Sequence, residues 1–309
     1  MDNLMPFIIS LISGSIRLCI PIAFAALGGT MCERSGIINM GLEGMMLMGA
    51  FNAAFFSHLF GSAYVGIFGA IISGLILGTF LYLLTVQFKC EHVLAGLGIN
   101  LFSSGFTVVM LQAVWNSKGR SATVDGLGLL QLPIISKIPI LKDIIGSVSP
   151  LLIFLILCAV LIYFILYQTT FGLRARVIGE NPYVAGAAGI QVYRTQYICV
   201  LIGSTLACIG GAYLSIGDIN MFSKDMVGGR GFIALAIVIL GGWKPFGVLM
   251  GSLFFGLAQS MQIRLQTAEI PPQIVQMLPY VLTILALFLM KKRSRAPAAE
   301  GTHYYREGN

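Results

Sequence analysis

The sequence predicts an all-α polytopic membrane protein with about eight to ten transmembrane helices, one of them short or re-entrant, and a short cytoplasmic helix. Of the 309 residues, 57% are hydrophobic and only 10% are charged, whereas a soluble domain carries about 25% charged residues. The apolar residues also form long runs, and a run of about 20 such residues crosses the bilayer core as a helix. So few charges cannot solvate a surface of this size, which excludes a soluble enzyme, a disordered protein and a nucleic-acid binder despite the net charge of +7.

Nine apolar segments account for the predicted helices and belong to one membrane domain. The seventh is too short for a full crossing, so we expect a half-helix or a re-entrant segment surrounded by protein or water. The first lacks the basic residues that precede a cleavable signal, so we expect it to remain as a spanning helix. The segments are Leu4–Leu27, Gly44–Leu59, Tyr64–Val86, Val93–Trp115, Val148–Tyr167, Tyr197–Ile216, Phe232–Gly241, Phe246–Ile263 and Ile274–Met290.

Positive charge is concentrated in two stretches, residues 168–196 and 291–295. The positive-inside rule places both in the cytoplasm, together with the C-terminus. Counting crossings back from them puts the N-terminus and the long loop 116–147 outside, although that loop carries four basic residues. The sequence therefore predicts a membrane domain over residues 1–294, followed by a loose polar cytoplasmic tail over residues 295–309.

Several chemistries have no motif in this sequence. There is no G-x-x-x-x-G-K-[ST] phosphate-binding loop, no G-x-S-x-G or H-E-x-x-H motif, and the three histidines lack metal-ligand spacing. The six cysteines include no CxxC pair, and in apolar runs cysteine behaves as a small hydrophobe. We therefore expect no catalytic residue, no metal and no cofactor in this chain.

Residues 171–195 lie between two apolar segments and contain local signals for a short helix. Asn181 is a good N-cap, Pro182 suits the first helical position, and Gly189 can adopt the left-handed conformation that ends a helix. Two helical turns are marginal in water by themselves, and this helix is nearly uncharged with small residues on its surface. We expect it to dock, either into a cytoplasmic partner or onto the protein's own helices.

Three motifs follow one another along the chain. Residues 33–44 read ERSGIINMGLEG and are followed by residues 49–51; residues 179–182 read GENP and are followed by Ala185, Ala188, Gly189 and Ile190; the third motif comprises residues 231–236 and 241–245. In this order they resemble the ABC importer permeases for branched-chain amino acids, simple sugars and nucleosides. The second motif is similar to the coupling segment of that family, and the first is most similar to its nucleoside branch, of the guanosine or uridine type.

The resemblance implies a membrane-spanning permease subunit of an ATP-driven importer in a bacterial plasma (inner) membrane, translocating a small neutral solute such as a nucleoside. A separate cytoplasmic ATPase subunit would bind ATP and Mg²⁺, so this chain is not expected to be an enzyme. Other implied partners are a second permease subunit, identical or homologous, an external substrate-binding protein and membrane lipid, with no nucleic acid. The implied ATPase-coupling residues are Gly179, Glu180, Asn181, Pro182, Ala185, Gly186, Ala187, Ala188 and Gly189.

Seven polar residues interrupt the apolar segments and are candidates for a translocation path. Their amides offer both donors and acceptors, which suits ribose hydroxyls and base edges. The alternative is that they join helices or cap broken ones, and for the one carboxylate a place near a helix start is slightly favoured. The seven are Asn39, Glu43, Asn52, Asn100, Gln112, Gln259 and Gln262. Arg17, inside the first segment, has no assigned function.

Three other functions remain open at this point. A simple-sugar importer would differ in the solute that its external binding protein carries. A stand-alone secondary carrier or channel would move solute without an ATPase, but the few carboxylates give little support for a coupling ion. A structural or assembly protein would need no solute path at all.

Overall fold

The computed structural model describes residues 4–131, 147–266 and 295–305, and five single positions between 277 and 288. Within these residues the chain forms ten α-helices, two π-helical turns and one two-stranded ribbon. The helices are α1 (Leu4–Arg34), α2 (Leu42–Phe60), α3 (Ala63–Tyr82), α4 (His92–Trp115), α5 (Pro150–Gln168), α6 (Thr170–Glu180), α7 (Pro182–Ala187), α8 (Val192–Ala212), α9 (Arg230–Leu240) and α10 (Pro245–Leu265). The π turns Leu83–Gln87 and Tyr213–Ile219 extend α3 and α8, and β1 (Leu130–Gln131) pairs antiparallel with β2 (Ser147–Val148).

The all-α membrane architecture predicted from the sequence is confirmed. Six described helices, the π turns included, are long and apolar enough to cross a bilayer: Phe7–Arg34, Ala63–Gln87, His92–Trp115, Pro150–Gln168, Val192–Ile219 and Pro245–Leu265. The short seventh segment is α9, whose 11 residues reach only about 16 Å, roughly half of the ~30 Å hydrocarbon core. The ninth predicted segment, Ile274–Met290, falls almost entirely outside the described residues.

The segment that the sequence predicts as one short cytoplasmic helix is in fact preceded by a second one. Helix α6 runs through Thr170–Glu180 before α7 begins at Pro182. Its buried residues, Gly172, Ala175, Ile178 and Gly179, recur at helical spacing and form one narrow apolar stripe. Because polar residues separate the residues of this stripe in the sequence, a search for continuous apolar runs does not detect the helix.

Helices α1, α2 and α8 form the centre of the bundle, with α3 and α10 packed on the outside of it. Gly28 of α1 and Gly203 of α8 lie so close that a Cβ on either would overlap the backbone carbonyl of the other. Small residues allow such backbone-to-backbone contact between membrane helices. Large apolar side chains on α4 and α5 point outward instead, with Leu101 76% exposed, which fits a lipid-facing surface.

The bundle has two ends that we call the coupling end and the far end. Arg34, Lys89, Gly179 and residues 295–305 lie at the coupling end, since the Ala299 N–H donates to the Gly179 carbonyl at 2.9 Å and Lys89 Nζ donates to the Tyr304 carbonyl at 2.6 Å. At the far end, loop 116–130 pairs with the chain after α8, through Val124 N–H to Asn220 carbonyl at 2.9 Å. The structure thus places segment 171–195 and residues 295–305 at the same end.

Residues 295–305 differ from the loose tail expected from their polar composition. Ala299 is buried, Gly301 N–H donates to the Gly36 carbonyl at 3.0 Å, and the Tyr304 ring packs 5.2 Å from that of Tyr183. The tail is therefore part of the packed structure at the coupling end. These contacts with the rest of the protein join residues more than 100 positions apart, so no local pattern in the tail reveals them.

Candidate functional site

Two helices begin inside the bundle, and their N-termini meet at Glu43. The Glu43 side chain, in the first turn of α2, accepts the Gly229 N–H on Oε1 at 2.8 Å and the Gly231 N–H on Oε2 at 2.7 Å. These N–H groups belong to the start of α9, where an α-helix leaves its first donors without intrahelical partners. A carboxylate at this position also interacts favourably with the helix dipole. Glu43 therefore caps the short helix α9.

Two asparagines form hydrogen bonds with the backbone groups of the irregular segment between α1 and α2. Asn100 of α4 accepts the Gly44 N–H on Oδ1 at 2.7 Å and donates from Nδ2 to the Met40 carbonyl at 2.9 Å. Asn39 accepts the Gly41 N–H on its own Oδ1 at 3.0 Å. Lipid offers no hydrogen bonds to an open backbone, so irregular chain at membrane depth needs such protein partners. We call this assembly of Asn39, Glu43, Asn100 and the start of α9 the junction.

Close backbone contact makes the junction possible. A Cβ at Gly231 would lie 2.5 Å from Glu43 Cα, and one at Gly44 would lie 2.8 Å from Asn100 Cα. Asn100 is eight residues along α4 from His92, or about 12 Å at 1.5 Å per residue. The junction therefore lies within the membrane-spanning region, nearer the coupling end.

Helix α7 at the coupling end has a cap at each terminus. Asn181 Oδ1 accepts the Tyr183 N–H at 3.0 Å and the Val184 N–H at 3.1 Å, and Pro182 occupies the first turn. At the other end Gly189 has φ +78°, and the Ile190 N–H donates back to the Ala185 carbonyl at 3.0 Å. This is the left-handed termination that glycine favours. The local signals in the sequence thus correspond to a helix in the structure.

Residues 11–287 match the family described as the permease component of the branched-chain amino acid transport system. The chain belongs to this permease family. It is 36% identical over 296 residues to the nucleoside ABC transporter permease protein NupC of Lactococcus lactis subsp. cremoris, covering 92% of this chain and 93% of that protein. It is 34% identical over 295 residues to the guanosine ABC transporter permease protein NupQ of Bacillus subtilis, covering 92% of both chains.

A solved structure described as a metal-chelate type ABC transporter in an inward-facing conformation has the same fold. It matches with a TM-score of 0.53 and 16% identity, covering 93% of this permease and 97% of that chain. At this level of identity the likeness concerns the fold alone. The family and the named relatives identify a multi-pass ABC transporter permease, and the fold agrees with a multi-pass membrane protein.

The structure separates the predicted path residues into two groups. Asn39, Glu43 and Asn100 come together at the junction, where their polar atoms bind backbone. Asn52 is half-buried nine residues beyond Glu43 on α2, whereas Gln112 is exposed on α4. Gln259 and Gln262 are half-buried on α10, which packs mainly on α1. The structure therefore does not bring the remaining four residues to the junction.

Two charged residues beside the junction, Asp225 and Arg230, are not among the site residues predicted from the sequence. Asp225 Oδ1 lies 3.5 Å from the Ser104 hydroxyl of α4, and Arg230 Nη1 donates to the Met226 and Val227 carbonyls at 3.0 Å each. Both residues interact electrostatically with Glu43. The Gly228-Gly229-Arg230-Gly231 run before the seventh apolar segment is the breaker signal that indicates a helix start at this place.

The predicted coupling residues divide into exposed and covered ones. Ala187 and Ala188 are exposed, and on the same side lie Val184 and Tyr183, which were not predicted and are 59% and 47% exposed. Gly186 is half-buried because the Tyr304 hydroxyl of the tail lies against it. Glu180, Asn181 and Gly189 are also exposed, whereas Gly179, Pro182 and Ala185 are buried.

Tyr304 and Lys89 hold the tail against α7. The Tyr304 ring lies 5.4 Å from the Tyr193 ring, and Lys89 Nζ lies 5.2 Å from the centre of the same Tyr193 ring and 5.1 Å from that of Tyr305. Burial lowers the pKa of Lys89 from its ordinary value. The tail thus covers one side of α7 and leaves the side with Val184 and Ala187 open.

The tail also carries a carboxyl group whose protonation is linked to its packing. Burial raises the pKa of Glu300 above its usual range, and this carboxyl is hydrogen-bonded to that of Glu33. Two carboxyl groups can share a hydrogen bond only when one is protonated. Because the folded-state pKa is raised, this contribution to stability is fully present below the ordinary glutamate pKa and is lost as the pH rises through the raised value.

We expect the thermal unfolding midpoint of the detergent-solubilised permease to become lower as the pH is raised above the ordinary glutamate pKa. Glu300→Gln needs no proton to hydrogen-bond with Glu33, so the variant should lose that part of the pH dependence. Glu91→Gln, at an exposed position of the same end, is the matched control and should behave like wild type. A Glu300→Gln variant with the full wild-type pH dependence would contradict the assignment.

Proposed function

We propose that this permease is the membrane subunit of an ATP-driven importer of nucleosides, with its coupling end in the cytoplasm of a bacterial cell. The observation that carries this proposal is the match to nucleoside and guanosine permeases at 36% and 34% identity over 92% of the chain. The junction also supports the proposal that the solute is neutral, because the Glu43 carboxylate is already hydrogen-bonded to two backbone N–H groups.

The exposed face of α7 supports docking of an ATPase subunit. Val184, Tyr183 and the two alanines form an apolar surface on the exposed side of α7, and exposed apolar surfaces mark interaction sites. The chain itself has no phosphate-binding loop, so ATP and Mg²⁺ are bound by the partner. A second permease subunit and an external substrate-binding protein complete the proposed importer.

A continuous set of contacts links α6, the helix that directly precedes α7, to the junction. The backbone of Gly179 packs against the Arg34 carbonyl at the end of α1. Arg34 Nε donates to the Trp243 carbonyl at 2.9 Å, and Trp243 Nε1 donates to the Glu33 carboxylate. Trp243 follows α9, whose other end is capped by Glu43. These contacts support a route by which motion of α6 and α7 would pass through the end of α1 to the short helix α9, and thereby to the junction.

Reconstitution into liposomes tests the proposed function. The permease together with its ATPase, second permease and binding protein should take up radiolabelled guanosine or uridine only when ATP is supplied. Liposomes with this permease alone should show no uptake. Uptake by the lone permease would identify a secondary carrier, and ATPase stimulation by glucose or ribose but not by nucleosides would identify a sugar importer.

A further inference from the structure

A polar cavity of about 200 Å³ lies at the far end, between α1, α5 and the π turn that extends α8. It is separate from the junction and from the coupling end. From Arg17, which lines it, to Arg34 at the coupling end, α1 rises about 25 Å. The polar residues that line the cavity are Ser13, Arg17, Ser149, Tyr213, Asp218 and Asn220.

Arg17 and Asp218 place opposite charges on this cavity. They lie close enough to interact electrostatically, yet both side chains remain exposed. A charge on an apolar spanning helix is costly, and such residues face a water-filled cavity or a functional path. An ion pair that only joins two helices would be expected to close on itself and exclude solvent. Here the guanidinium and the carboxylate both remain accessible from the cavity.

The π turn explains why Asp218 reaches the cavity wall. Tyr213 and Asp218 are five residues apart, which in an α-helix would separate them by about 140° around the axis. In the π turn Tyr213–Ile219, hydrogen bonds between residues five apart bring such positions to one side, and π turns occur often at functional sites. Tyr213 is 2% exposed and lies against Gly217, so its side chain is held in place in the wall that Asp218 also lines.

The donors and acceptors of the cavity suit a sugar with free hydroxyls. A carboxylate only accepts hydrogen bonds and can take two at once, as from the vicinal hydroxyls of a ribose, whereas a guanidinium only donates. The two charges cancel, so the cavity offers no net attraction to an anion such as a nucleotide. Its volume of about 200 Å³ accommodates a ribose ring.

We propose that this cavity receives the nucleoside on the far side of the permease and binds its ribose, with Asp218 accepting from the 2′- and 3′-hydroxyls and Arg17 donating to an acceptor oxygen or nitrogen of the solute. This inference rests on the proposed function, because it names the part of the nucleoside that the permease recognises. It assigns a role to Arg17, for which the sequence alone offers none.

The test measures ATP-driven uptake by the complete reconstituted importer at increasing concentrations of uridine and 2′,3′-dideoxyuridine. Asp218→Asn should raise the KM for uridine about tenfold, since one charged hydrogen-bond acceptor is lost, and should reduce the preference over the dideoxy compound. Arg17→Lys keeps the positive charge but loses the planar guanidinium with its paired N–H donors, so it should also raise the KM for uridine. Asp125→Asn, at the same end but outside the cavity, should match wild type.

A charge exchange separates recognition from a merely structural ion pair. The double variant Arg17→Asp with Asp218→Arg should regain the thermal stability of wild type, because the pair is restored, but not its KM or its preference for uridine. Wild-type transport by the double variant, or unchanged KM and preference in Asp218→Asn, would overturn the proposal. Failure of the proposed function looks different, since wild type itself would then take up no nucleoside.

Discussion

Val184→Asp and Ala187→Glu will each abolish ATP-driven uptake while leaving the permease folded in the membrane. Both side chains lie on the exposed side of α7, so neither change disturbs the packing of the bundle. In the docked state the new carboxylate would be buried against an ATPase without a partner. Truncation of central contacts in protein interfaces costs about 2 to 4 kcal/mol, or roughly 30- to 1,000-fold in affinity. We expect the affinity of the permease for the ATPase subunit to fall by at least this factor.

Co-purification of the ATPase subunit with the gently solubilised permease, followed by uptake in liposomes, measures this effect. Ala122→Glu introduces the same charge at an exposed position of the far end and is the matched control, which should retain the ATPase. If Val184→Asp and Ala187→Glu keep both the ATPase and normal uptake, α7 is not the docking site.

Gly186 needs a separate interpretation although it lies in the same helix. It faces the Tyr304 hydroxyl, so a bulky charged side chain there would first displace the tail. A loss of uptake in such a variant would therefore not by itself indicate a lost ATPase contact. Tyr304→Ala, which releases the tail without changing α7, distinguishes the two effects.

Gly231→Ala is expected to cause the largest loss of stability among the junction variants. The added Cβ would lie 2.5 Å from Glu43 Cα, so the start of α9 and the first turn of α2 must move apart. Overpacking typically costs about 1 to 3 kcal/mol, and separation of the backbones also weakens the two hydrogen bonds to the Glu43 carboxylate. Uptake should be lost together with stability, since α9 can no longer follow the motion of α1.

Gly98→Ala is the matched control for this substitution. Gly98 also lies in a membrane helix, but nothing is found within 4 Å of a Cβ built on it, and alanine favours a helix over glycine by up to about 1 kcal/mol. The thermal midpoint of Gly98→Ala should equal or exceed that of wild type. Equal midpoints for Gly231→Ala and Gly98→Ala would show that the backbones at the junction are not in tight contact.

Glu43→Ala tests the same junction through its hydrogen bonds. It removes both acceptors and leaves the N–H groups of Gly229 and Gly231 without them, and an unsatisfied buried N–H group costs about 1 to 3 kcal/mol. Glu43→Gln keeps one acceptor oxygen, so its midpoint should lie between those of Glu43→Ala and wild type. The opposite order of the two variants would indicate that the capping bonds do not hold α9 in place.

The sequence predicts best those features that depend on neighbouring residues. The spans follow from runs of apolar residues, because lipid admits only helices whose backbone bonds are satisfied within the segment. Helix α7 follows from Asn181, Pro182 and Gly189, since each acts on backbone groups within a few positions. The shortness of α9 follows from the length of its apolar run.

The chain by itself thus determined that this is a bundle of membrane helices with a short capped helix at one end, because bilayer thickness and local capping act along the sequence. Only the tertiary structure decided that Glu43 caps α9, whose Gly229 and Gly231 are 186 and 188 residues away, that the tail covers Gly186, and that Arg17 shares a cavity with Asp218. These pairings depend on which helix faces which. In lipid, close packing and hydrogen bonds between helices determine which helices are neighbours. These contacts join residues far apart in the sequence, so one sequence does not show which residues meet.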